Sequence, residues 1–121
     1  MSAPRKNVLK AKSYGFALRA INLYKHLSAT KNEYVLSKQI LRSATSIGAN
    51  VAEANQAQSR PDFISKLSIA LKEAVETEYW LNLLRDSGYL TRKEAESLLI
   101  DCVELIKLLT VILIATKKKR S

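Results

Sequence analysis

Three features of this 121-residue sequence predict an all-α fold, an antiparallel up-down-up-down four-helix bundle. Helix breakers are scarce, with three glycines and two prolines, and no proline lies between Arg5 and Arg60. Three Ser/Thr-x-x-acid tetrads (Thr30 with Glu33, Ser59 with Asp62, Thr91 with Glu94) have the capping-box spacing in which a hydroxyl and a carboxylate satisfy the free amides of a helix start. Between them, apolar residues recur every three or four positions. Short connections between long helices favour antiparallel neighbours, so residues 1–121 read as one bundle domain with short basic termini at 1–12 and 117–121.

The first helix, near 8–28, rests on Tyr14, Ala17, Leu18, Ile21 and the Leu23, Tyr24, Leu27 group. The second, near 32–57, follows the Thr30 box and carries an apolar stripe of Leu36, Ile40, Ala44, Ile47 and Val51. Beside that stripe run Ser43, Ser46, Ala49, Asn50 and Glu53, within the stretch SATSIGANVAEANQAQ, whose side chains are mostly small. Small side chains let a neighbouring backbone approach, so this helix is expected to have a close helical partner within the bundle or from another subunit. The third helix, near 61–87, ends before Gly88, which suits the left-handed closing position, with Tyr89 packing back behind it. The fourth, near 92–117, has a narrow polar stripe (Ser97, Asp101, Glu104, Lys107) and an apolar face wider than the ~100° arc a monomeric surface helix needs. That width predicts a homo-oligomer, the alternative being a wide but entirely internal face.

Twenty basic residues oppose eleven acidic ones, for a net charge of +9. Arg5, Lys6, Lys10 and Lys12 lie at the start and Lys117, Lys118, Lys119 and Arg120 at the end, with no acid among them, so the body between is nearly neutral. Up-down topology brings both segments to the same end of the bundle, where they form a candidate nucleic-acid-binding surface. The single cysteine, Cys102, cannot form an internal disulfide, and the N-terminus has no apolar signal-peptide run; a cytoplasmic location is expected. The apolar run LLIDCVELIKLLTVILIAT is interrupted by Asp101, Glu104 and Lys107, which leaves it short of the roughly 18 residues of a membrane span.

Residues suited to catalysis are sparse. Glu73 and Glu76 share a helix face with Trp80, but a dimetal bundle needs a Glu-x-x-His pair on each of two helices, and His26 is the only histidine. His26, beside Lys25 near a helix C-terminus, suits the helix dipole there. Cys102, on an apolar helix, reads as a small buried hydrophobe, and Gly15, Gly48 and Gly88 form no phosphate loop. No enzyme activity, metal or cofactor is expected. Arg42, Asn50, Glu53 and Glu76 are read as a structural polar network in which carboxylates hold the arginine and set helix register.

The run LRSATSIGANVAEANQAQSRPDF, followed by LSIALKEAVETEYWLNLLRDSGYL, resembles the bacterial four-helix bundle family first described as proteins encoded in intervening sequences of 23S ribosomal RNA genes, called S23-like. Arg42 with SIGANVAEA, and EAVETE ahead of GYL, carry the resemblance. Members are similar in fold to the accessory protein of diversity-generating retroelements, a barrel-shaped homopentamer that binds a reverse transcriptase and nucleic acid. The resemblance therefore implies a pentamer, and a reverse transcriptase as one partner. This chain departs from the family's usual Gly after AE with an Arg soon after: it has Ala54, and Arg60 follows several residues later.

Two functions follow as expectations. The first is a non-enzymatic oligomeric scaffold that binds RNA or DNA through its basic ends. The second is a protein-interaction module without a nucleic-acid role, whose basic ends keep an apolar bundle soluble.

Overall fold

The structure, a computed structural model, describes residues 3–119. Four helices follow in order: α1 (Ala3–Lys31), α2 (Val35–Ala54), α3 (Arg60–Asp86) and α4 (Arg92–Lys118). Consecutive helices pack against each other and α4 returns to α1, closing the antiparallel bundle expected from the sequence. There is no strand among the described residues.

The first junction differs from the capping box expected there. Thr30 lies inside α1, which runs on to Lys31 and stops where Asn32 takes a left-handed backbone (φ 54) and the Glu33 amide reaches back to the Leu27 carbonyl at 3.0 Å. Asn tolerates that conformation better than most residues. The Glu33 carboxylate then caps α2 alone, accepting from the amides of Val35 (3.0 Å), Leu36 (2.9 Å) and Ser37 (2.8 Å), three of the four donors a helix start leaves open. Burial would raise the Glu33 pKa, but the bonds from Leu36, Ser37 and Val35 outweigh it and hold the carboxyl below its ordinary value. A depressed folded-state pKa contributes stability above the unfolded value of about 4.3 and loses it as pH falls through the folded value. Glu33→Gln is expected to cost about 1–2 kcal/mol at neutral pH, on the scale of a lost helix cap. Urea unfolding at pH 7 and pH 3 checks this: the gap between wild type and variant should narrow on acidification.

The Thr91 junction follows the sequence reading fully, and the Ser59 junction only in its hydroxyl half. The Ser59 hydroxyl accepts from the Asp62 amide at 3.2 Å, with Pro61 in the first turn of α3. Thr91 and Glu94 form the complete reciprocal box, the Glu94 amide donating to Thr91 at 3.1 Å and the Thr91 amide donating to Glu94 at 2.9 Å. Those Thr91 bonds, with His26 and Lys31 nearby, hold the Glu94 carboxyl below its ordinary pKa. Gly88 (φ 87) closes α3 in the left-handed region, and the Tyr89 amide donates to the Leu84 carbonyl at 2.9 Å in a Schellman arrangement. The residue that packs back into the core is Leu90, 5% exposed, while Tyr89 remains 37% exposed at the surface.

The core is apolar and continuous along the bundle axis. From α2 it takes Ile40, Ala44, Ile47 and Val51, as the stripe predicts, with Leu36 partly buried beside them. From α1 it takes Leu9, Phe16, Ala20, Leu23 and Leu27, so only the last two of the expected residues are core. Tyr14 and Leu18 point outward at 67% and 47% exposure. Two apolar stripes lie on α1 at helical spacing, and spacing alone does not say which one faces in.

The small residues of α2 serve two faces. Ser43, fully buried, shares a 2.7 Å hydrogen bond with buried Thr77 of α3. Gly48 lies against α1, where a Cβ would stand 3.4 Å from the Ser13 carbonyl oxygen. That is ordinary van der Waals contact, and the helical backbone there does not need glycine. Gly48→Ala is therefore expected to raise stability by about 0.5–1 kcal/mol through lower backbone entropy, read as a higher urea midpoint. Ala49 is exposed.

Candidate nucleic-acid interface

Cross-helix bonds fix the register. Lys12 pairs with Glu104 at 3.1 Å and Arg19 with Asp101 at 2.7 Å, so α1 climbs as α4 descends. Lys66 of α3 pairs with Glu53 of α2 at 2.8 Å, and the Cys102 thiol donates to the Ala74 carbonyl at 3.2 Å. This register brings the first turns of α1, the α2–α3 connection and the last turns of α4 to one end of the bundle.

At that end Arg5, Lys10, Lys117, Lys118 and Lys119 are exposed. Lys117 and Lys118 occupy the last turn of α4 and Lys119 its C-cap, where cations complement the partial negative charge of the helix terminus. Lys12 differs from the rest in being tied to Glu104, with both side chains about half exposed. The Lys6 side chain and Arg120 lie outside the described residues.

Sequence reasoning missed one further cation. Arg60, exposed at the start of α3, comes level with Thr116 and Lys117 when the register set by Cys102 and Ala74 is followed down the α3–α4 pair. Its position beside a predicted helix start was signal enough, because that start must share an end with the α4 terminus. Of the acids nearby, Glu53 is engaged by Lys66, raising the lysine's pKa through that bond, and Asp62 lies in the first turn of α3.

The polar residues read as one network occupy separate places. The Arg42 guanidinium donates to Glu73 at 3.2 Å and also to Glu76, whose carboxylate accepts from the Trp80 indole at 3.0 Å. Asn50 is bonded within α2 to the Ser46 carbonyl at 2.9 Å, and Glu53 is held by Lys66. Arg42 meets carboxylates on the neighbouring helix one and two turns from Trp80, while Glu53 sits three turns further along α2, beyond its reach. The Arg42 side chain is 51% exposed. Arg42→Ala is accordingly expected to cost no more than about 1 kcal/mol in urea unfolding, since solvent screens exposed pairs, and to leave nucleic-acid affinity unchanged.

Burial pushes the Cys102 thiol up to about 12, helped by the Glu78 charge, so it is protonated and shielded at neutral pH. His26 is exposed near the opposite end of the bundle from Lys117. Among the described residues, no three His, Cys, Asp or Glu side chains cluster as metal ligands, and no helix is long and apolar enough to cross a membrane. An apolar groove of about 570 Å³ opens between α1 and α2, lined by Ala11, Tyr14, Ala17, Gly48, Ala49 and Ala52 among others.

The fold and its basic end can be set against known proteins. The sequence model of the 23S rRNA-intervening sequence protein family matches residues 5–111. The chain belongs to this family. A solved member shares its architecture: the crystal structure of a protein of unknown function from the S23 ribosomal protein family of Bacteroides thetaiotaomicron VPI-5482 is 60% identical, with a TM-score of 0.89. The alignment covers 90% of this chain and 97% of that one. No curated protein matches. The family match begins at Arg5 in α1 and ends at Val111, within α4 and before Lys117, Lys118 and Lys119.

Proposed function

We propose that this S23-family protein is a non-enzymatic oligomeric scaffold that binds nucleic acid through the basic end of its bundle. The observation that carries the reading is the meeting of Arg5, Lys10, Arg60 and Lys117 to Lys119 at one end, on elements far apart in sequence. Positive charge concentrated on one end of an otherwise near-neutral body attracts a polyanion, and displaced counterions drive the binding. An accessory role beside a reverse transcriptase is the narrower form, supported by the family resemblance.

Assembly is supported by the outer surface. Large apolar side chains remain exposed on different sides of the protomer: Tyr14 and Leu18 on α1, Val75 and Tyr79 on α3, Ile100 and Ile114 on α4. Unlike patches on different sides favour head-to-tail contacts, which close into rings when the rotation allows. A pentamer, as the resemblance implies, is such a ring. Apolar surface also favours the second reading, in which the bundle docks proteins and binds no nucleic acid.

A salt titration separates the two. Binding of the intact protein to a generic RNA and a generic DNA should weaken steeply, log K falling with log salt by about 0.9 per phosphate engaged on duplex DNA and about 0.7 on single strands. Light scattering should give a single mass above that of the protomer. No binding to either nucleic acid at low salt would leave the protein-docking reading in its place.

A further inference from the structure

The α2–α3 connection occupies the middle of the basic end and has a chemistry of its own. From Asn55 to Arg60 the side chains of Asn55, Gln56, Gln58, Ser59 and Arg60 are all exposed, and no carboxylate occurs between Ala54 and Pro61. Its backbone is tied down: the amides of Asn55, Gln56 and Ala57 donate to Val51, Glu53 and Ala54 at 3.0–3.1 Å, and Ser59 caps α3. The carboxamides of Asn55, Gln56 and Gln58, by contrast, bond to no other described residue. Three free carboxamides therefore stand on a fixed turn, between Arg60 with the α4 lysines on one side and Arg5 of α1 on the other.

A phosphate only accepts hydrogen bonds, so lysine and arginine suffice to hold it. A carboxamide presents a donor and an acceptor side by side, and that pair matches the edge of a nucleobase, adenine best of all. Paired bases are out of reach of this turn. It joins two helices whose axes lie about 8–10 Å apart, each about 10–12 Å across, so the tip is roughly 20 Å wide against a B-DNA major groove of about 12 Å. The major groove of A-form RNA is narrower still, and its bases are read where they are unpaired. We infer that the α2–α3 turn reads unpaired bases of a single strand through Asn55, Gln56 and Gln58, while Arg60, Lys117 and Lys118 hold the flanking phosphates. The inference rests on the nucleic-acid reading above and adds to it a strand state and a base preference.

The test uses the intact protein and labelled oligomers of about 12 nucleotides, within the span one small binding surface covers. Adenine and pyrimidine homopolymers, each as RNA and as DNA, are compared with a mixed duplex by fluorescence anisotropy. Wild type should prefer the adenine strand over the pyrimidine strand by about tenfold and bind either strand more tightly than the duplex. Gln56→Ala with Gln58→Ala should bring the two homopolymers to equal affinity without changing the salt slope. Lys117→Ala with Lys118→Ala should weaken all single strands alike and keep the preference. Because these side chains are exposed and unbonded, circular dichroism should show unchanged melting for the glutamine variant and at most a small decrease for the lysine variant, which gives up two cations at the α4 terminus. The RNA and DNA arms show which sugar is preferred. A preference that survives the glutamine variant, no preference in wild type, or equal binding to duplex would overturn the base-reading turn and leave the basic end standing. Absence of all binding would overturn both.

Discussion

Replacing Arg60, Lys117, Lys118 and Lys119 together by alanine is expected to weaken nucleic-acid binding about a thousandfold near 0.1 M salt and to flatten the salt slope by three to four units, as four lost phosphate contacts would. The fold should survive, because all four side chains are exposed and none is ion-paired to a described residue. Arg42→Ala is the matched control: it removes a cation from the α2–α3 face, away from the basic end, so the affinity should not move. An unchanged salt slope in the quadruple variant, with oligomer mass and melting intact, would mean that the basic end is only a solvated surface. Equal loss in the Arg42 control would instead place the binding face on the side of the bundle.

A large stability loss is expected for Ala74→Leu. Ala74 is fully buried at the α3–α4 contact, where its carbonyl accepts the Cys102 thiol. A leucine there must push the helices apart or adopt a poor rotamer, at a cost of about 3 kcal/mol or more, seen as a lower urea midpoint. Ala49→Leu separates burial from assembly. Ala49 is exposed on the rim of the α1–α2 groove, so the larger side chain has room in the protomer and its stability should change by less than about 0.5 kcal/mol. If a second copy covers that groove, light scattering should show a smaller particle for Ala49→Leu. An unchanged mass would move the subunit contact to α3 or α4.

The parts of the fold legible in the sequence were those governed by local chemistry. The Thr91 and Glu94 box and left-handed Gly88 involve residues a few positions apart and formed as read, while at Ser59 only the hydroxyl half of the expected box formed. The α1–α2 junction went otherwise because a single carboxylate, Glu33, could reach three amides once Asn32 had turned the chain, a better arrangement than the hydroxyl of Thr30 offered. In the candidate site, the two terminal cationic clusters were plain from composition and topology. Arg60 was overlooked because it stands alone in sequence, although its place at the predicted start of α3 already put it at the same end.

The sequence by itself determined the number of helices, the ends of α3 and α4 and the gathering of charge at the two termini, since capping, turn conformation and charge count need only near neighbours along the chain. Tertiary structure alone decided which apolar stripe of α1 faces inward. It also decided that Gly48 meets Ser13 while Ala49 stays in solvent, and that Glu53 serves Lys66 while Arg42 takes Glu73 and Glu76. Each of these depends on how far one helix is rotated and shifted against another, a quantity set by the packing of the whole core and by no short stretch within it.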